Sequence, residues 1–154
     1  MTLPASFPLS MSQIAAELGL SFPLSIEHAW VLALANKAAA PISFSDLLGK
    51  TGRYDGNLIG QNAGGSDNFI RFGNYPFFGG TLFAVDTFFP DASHCQLSMG
   101  SAPNWNGNIF FKNNTTGVSV VFSKTNSTTW QVASNPANLI RNGITDNFTV
   151  LPSN

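Results

Sequence analysis

Two different rhythms of hydrophobic and polar residues meet near residue 50 of the chain. From Thr51 onward, short β-prone runs are separated by turn signals at Asp55-Gly56, Gly64-Gly65, Gly79-Gly80, Pro90-Asp91, Asn106-Gly107, Asn113-Asn114, Asn126, Asn135-Pro136 and Asn142-Gly143. That spacing is close to the rhythm of about 8–12 residues found in β-sandwiches and barrels. The runs predict strands over 68–73, 81–89, 93–99, 108–112, 118–123, 129–133 and 147–151. Val118, Val120 and Phe122 alternate with Ser119, Val121 and Ser123, and Trp130 and Val132 alternate likewise, so one face of each strand is apolar and the other half polar. No useful helical period follows Leu48. The expected fold is mainly β, an antiparallel β-sandwich or jelly-roll-like domain over 51–154, preceded by short helices over 1–50.

The first fifty residues repeat a short phrase. Ser6-Phe7-Pro8-Leu9-Ser10 recurs as Ser21-Phe22-Pro23-Leu24-Ser25, and Pro41-Ile42-Ser43 is a looser third copy. In each, proline holds the chain extended, an apolar residue follows, and a serine stands where a helix N-cap is wanted. Three short helices are expected. The first runs from Ser10 or Ser12 through Ile14 and Leu18 to Gly19. The second is capped by Ser25, with Glu27 in its first turn, and continues through Trp30 to Leu34. The third is a single turn over 45–48 ended by Gly49. Helices this short are marginal alone, so Trp30, Phe22, Phe44 and the leucines need cover from the β half or from a neighbouring subunit.

Composition narrows the surface chemistry. Hydrophobic residues make up 44% of the 154 positions, enough for a core, whereas charged residues reach only 10% against about 25% in ordinary soluble domains. Asn, Ser, Thr and Gly must therefore cover the outside. The net charge is −1 and the seven basic residues are scattered, so neither nucleic acid nor an anionic membrane surface is an expected partner. No apolar window is long enough for membrane insertion, and Met1–Ala16 lacks the basic start of a secretory signal. The single cysteine, Cys95, excludes an internal disulfide.

No catalytic or metal constellation stands out, and no cofactor is implied. Gly49-Lys50-Thr51 resembles the end of a phosphate-binding loop, but Phe44 occupies the required upstream glycine position. The two glutamates, Glu17 and Glu27, lie on the helical segment, and the aspartates mostly flank turns. Adjacent His94 and Cys95 point to opposite faces of a strand and form no dyad, and His28 lacks the partner ligands of a zinc site. Rings beside turns, at Tyr75, Phe77 and Trp105, are the candidate contacts to a host-surface glycan or protein, because aromatics with nearby amides suit such recognition, but with 14 phenylalanines to bury the favoured reading puts Phe77 and Phe78 in the core and Trp105 over its end.

The helical segment resembles a known module. The succession Met11-Ser12-Gln13-Ile14, Glu17-Leu18-Gly19, Pro23-Leu24-Ser25, Ala33-Leu34-Ala35-Asn36-Lys37, Pro41-Ile42-Ser43-Phe44-Ser45-Asp46-Leu47 and Gly49-Lys50-Thr51 is similar in order and spacing to an N-terminal module of tailed-bacteriophage structural proteins of the tail tip, baseplate or tail fibre. The resemblance covers the first third of the chain. Ala38-Ala39-Ala40 departs from it where the family often has a basic or glycine-containing stretch. It implies a non-enzymatic virion protein, made in the bacterial cytoplasm and carried in the particle, in its tail. On this reading residues 1–50 dock onto other virion proteins or sibling copies in a homo-oligomer, through Phe7, Leu9, Ile14, Leu18, Phe22, Leu24, Trp30, Leu34, Phe44 and Leu47. A capsid decoration protein and a carbohydrate-binding, receptor-binding module are the alternatives.

Overall fold

The computed structural model describes residues 2–154. Helix α1 spans Met11–Leu18 and begins and ends as its sequence dictates. Ser10 Oγ accepts the Gln13 N–H, Gln13 Oε1 accepts the Ser10 N–H at 2.8 Å, and Gly19 closes the helix at φ 67°. A side chain at Gly19 would be strained by that φ and would also meet Leu151 Cδ1 at 3.0 Å. Helix α2 spans Ala29–Ala35, starting later than Ser25 predicts. Ser25 instead caps a tight turn, its Oγ accepting Glu27 N–H and its carbonyl accepting His28 N–H, and the imidazole Nδ1 of His28 caps α2 by accepting Trp30 N–H at 3.2 Å. A 3-10 turn follows at Phe44–Leu47, with Asp46 bonded back to Ser43.

Among the described residues nine strands succeed these elements: β1 Tyr54–Ile59, β2 Gln61–Gly64, β3 Asp67–Phe77, β4 Gly80–Thr87, β5 Cys95–Ser101, β6 Asn108–Asn113, β7 Ser119–Lys124, β8 Thr129–Val132 and β9 Thr145–Ser153. All pair antiparallel, in the order β1-β9-β6-β7-β8-β5-β4-β3-β2. The expected mainly-β, sandwich-like architecture is thus present, as one sheet rolled over until its ends nearly meet. β1 and β2 were not expected. Asp55, Gly56, Asn57, Asn62 and Gly64 are turn formers, and these residues are strands because β9 pairs with one run and β3 with the other, so partners override local preference. Gly60 bends the chain between them, its N–H bonded to the Ile144 carbonyl. β3 runs past Gly73 to Phe77 through a register shift between Arg71 and Tyr75.

The inward faces fill one core. Ile70, Leu82, Val85, Leu97, Ile109, Phe111, Phe122, Trp130, Phe148 and Val150 are buried together with Leu3, Leu9, Ile14, Leu18, Val31, Leu34 and Leu47 from the helical segment. The segment therefore finds its cover on the β half of its own chain. Gly52 is a second close point of that junction, where an added Cβ would lie 3.1–3.2 Å from Phe78, Leu18 and Leu34. The ends of the segment are tied together, Leu3 N–H to the Lys50 carbonyl and Gly49 N–H to the Pro4 carbonyl, both at 2.9 Å. Edge-to-face rings carry the packing across the junction, from Trp30 to Trp105 at 5.2 Å, with Phe78 tilted against Trp105 at 5.0 Å.

Candidate functional site

The repeated Ser-Phe-Pro-Leu-Ser phrase gives the helical segment its open surface. In the first copy Leu9 turns into the core while Phe7 is 60% exposed, and in the second Leu24 is half-buried while Phe22 is 66% exposed. The two serines go on to different turns, but the ring before the proline faces solvent in both copies. In the third copy Ala40 stands where the phenylalanine would be, also exposed, and Ile42 is half-buried. Of the residues expected to meet a partner, Leu9, Ile14, Leu18, Leu34 and Leu47 are sealed in the chain's own core and are corrected to packing residues. Trp30 and Phe44 are half-buried against that core. Phe7 and Phe22 are left as the large apolar side chains the segment presents.

The expected ligand contacts do not form a patch. Phe77 is fully buried, and Trp105 is 4% exposed with its Nε1–H donated to the Asn108 carbonyl at 2.8 Å. Tyr75 is half-buried with its ring edge-to-face on Tyr54 at 4.9 Å. Phe77 and Trp105 thus take the core places favoured for them, the turn around Trp105 packing under the helical segment where its ring meets Trp30 edge-to-face at 5.2 Å.

A different aromatic group lies on the outer face of the sheet. Across five strands the register aligns Phe69, Asp86, Gln96, Gln131 and Ser123 in one row. Their inward neighbours Ile70, Val85, Leu97 and Trp130 are fully buried, which turns the row outward. Gln131 Nε2 donates to Gln96 Oε1 at 2.8 Å, so the two amides are held as a pair. Beside the row the Arg71 guanidinium lies 4.6 Å from the ring centroids of both Phe69 and Phe83. Phe83 is 41% exposed, turned outward where the β4–β5 register shifts between Leu82 and Ala84. Burial raises the Asp86 carboxyl above its ordinary range, and the positive charge of Arg71 works against that rise. Sequence alone did not reveal this group, because Leu82-Phe83-Ala84-Val85 is continuously apolar and hides the bulge that changes its phase.

Other polar groups serve the fold. Glu17 is fully buried and its Oε1 accepts the N–H groups of Gly52 and Arg53 at 2.7 and 3.0 Å, while Oε2 has no partner among the described residues. Burial raises its carboxyl. Buried Asp146 accepts hydrogen bonds from Arg141 and from Asn113 Nδ2, the latter at 2.8 Å, and the Arg141 bond chiefly lowers its carboxyl. Asp91, Ser93 and His94 lie within hydrogen-bond distance of one another, but serine and carboxylate both meet the same imidazole nitrogen, Nδ1. A relay needs them on opposite nitrogens, so the cluster is a turn whose bonds from His94 and Ser93 lower Asp91 to about 2. Burial pushes the Cys95 thiol up to about 12. Among the described residues no group of three or more His, Cys, Asp or Glu is placed to hold a metal ion, and no helix is long and apolar enough to cross a membrane.

Two open cavities lie on the surface of the described residues. One, of about 220 Å³, is lined by Asn68, Thr87, Phe88 and the loop 135–138. The other, of about 370 Å³, lies between the end of α2 at Asn36, Lys37 and Ala38 and the loop residues Asn104 and Asn106. Comparison with models of known families, with curated proteins and with solved structures finds no match.

Proposed function

We propose that this chain is a non-enzymatic structural protein of a tailed-bacteriophage virion, seated in the tail tip, baseplate or fibre-attachment region and holding its β body outward. The observation that carries this reading is the pair Phe7 and Phe22, two large rings held 60% and 66% exposed by two copies of one phrase. The core does not use them, and burying exposed apolar area is the main favourable term in association. The resemblance of the helical segment to the phage module supports the same placement. The partners are other virion proteins or sibling copies, and the docking surface is the Phe7 and Phe22 side of the segment, with the buried leucines acting as its foundation.

The test is the double substitution Phe7→Ser/Phe22→Ser introduced into the phage, with occupancy of the protein in purified particles measured by mass spectrometry. The expected result is loss of occupancy with the soluble protein still folded. Normal occupancy overturns the docking surface. With 10% charged residues, the association should also survive a rise in NaCl from about 0.1 to 1 M, which shortens the screening length from about 10 to 3 Å.

A further inference from the structure

We infer that the outer face of β3, β4, β5, β8 and β7 is a glycan-binding site that takes an extended, uncharged polysaccharide lying across the strands. Its functional groups are those that sugars require. The row Phe69, Asp86, Gln96, Gln131 and Ser123 supplies, in register, an aromatic ring, a carboxylate acceptor, two amides and a hydroxyl. Four interstrand gaps at about 4.8 Å make the row about 19 Å long, enough for several sugar rings in succession. Next to it, Ala84 and Ser98 are paired small residues that put no bulky side chain between the amides and the outward Phe83 ring.

Arg71 sets the geometry at one end. Its guanidinium is held at 4.6 Å by both Phe69 and Phe83 and donates no hydrogen bond to a described residue, so its planar fork of N–H groups is fixed and open. A fixed fork pairs with two adjacent hydroxyls without losing further side-chain freedom. Phe83, 41% exposed, offers the apolar ring surface that the C–H face of a sugar covers. Charge selects the ligand class. Arg71 and Asp86 offset each other on this face, so an acidic polymer gains no net attraction, and a single cation cannot track a phosphodiester backbone. A neutral polyhydroxyl chain matches both the donors and the acceptors. The inference is independent of where the chain sits in a particle.

The experiment presents the purified full chain to immobilised bacterial surface polysaccharides, neutral and acidic, and to bacterial outer-surface proteins as a third arm. Retention on a neutral polysaccharide is expected, weakened about tenfold by Phe83→Ala and by Arg71→Lys, which keeps the charge but loses the fork. Phe22→Ser should leave retention unchanged. Titration of the bound oligosaccharide should move the side-chain amide resonances of Gln96 and Gln131, a readout that holds even if a variant folds poorly. No retention on any neutral polysaccharide, retention only on the acidic or protein arms, or retention indifferent to both substitutions overturns the inference.

Discussion

Replacing Glu17 isolates what joins the helical segment to the β body. In Glu17→Ala the N–H groups of Gly52 and Arg53 lose their common acceptor. A buried donor left unpaired costs about 1–3 kcal/mol; Gly52 is buried and Arg53 half-buried, so the second donor costs less. Against this, the wild type bears the cost of a buried carboxylate with Oε2 unpartnered. The net expectation is a loss of about 2 kcal/mol, or about 4–8 °C in melting temperature for a domain of this size. Glu17→Gln keeps the accepting oxygen and removes the charge, so it should lie within about 1 kcal/mol of wild type. The two forms should also differ in pH response. Because burial raises the folded carboxyl above its ordinary value of 4.5, the folded state binds more protons than the unfolded one in that interval. Wild-type stability contributed by this group therefore falls as pH rises from about 4.5 through the folded value, and Gln abolishes that fall. Urea unfolding of all three forms between about pH 4 and 8 measures both effects. Gln as damaging as Ala, or wild-type and Gln stabilities separated by a constant amount across the range, would refute the reasoning.

Three further outcomes follow from the same packing. Asp146→Ala, which removes the buried partner of Arg141 and Asn113, should cost about 3 kcal/mol by chemical denaturation; because its carboxyl is lowered in the folded state, the stability it supplies is present at neutral pH and lost as pH falls below the ordinary carboxylate range, so the variant should show a flatter acid-unfolding curve. Leu34→Ala should cost about 2–5 kcal/mol, whereas Phe22→Ser, at an exposed position, should change thermal stability by under about 0.5 kcal/mol; equal losses would mean that the exposed ring is structural. Cys95, buried and with its thiol raised to about 12, should react with a disulfide reagent near pH 8 only as fast as the protein unfolds, and rapid native-state labelling would contradict its placement.

The parts legible in the sequence were those decided locally. Ser10 and Gly19 bound α1 because a hydroxyl three residues before an amide and a residue free to take positive φ are sufficient in themselves. The alternation of Val118, Val120 and Phe122 placed β7 because its partners agree with its period. Ser25 follows the same four residues as Ser10, but His28 stands where Gln13 closes the first capping box and takes over the cap, a local difference that the shared phrase masked. Where a second chain segment decides, local reading failed. Turn formers in 54–64 became strands because β9 and β3 flank them. Which of Phe7 and Leu9 would be buried is set by the direction in which the β body lies, and that lies outside the phrase itself. The Phe69–Arg71–Phe83 group depends on two register shifts that no residue pattern announces.

The position of β9 has a consequence for biosynthesis. Although it follows every other strand in the chain, it lies inside the sheet, between β1 and β6. A nascent polypeptide thus carries two unsatisfied ladders, 54–59 and 108–113, until residues 145–153 emerge from the ribosome to fill the slot. Closure of the sheet therefore waits for β9, and a chain stopped before residue 145 presents two open edges of the kind that recruit other strands.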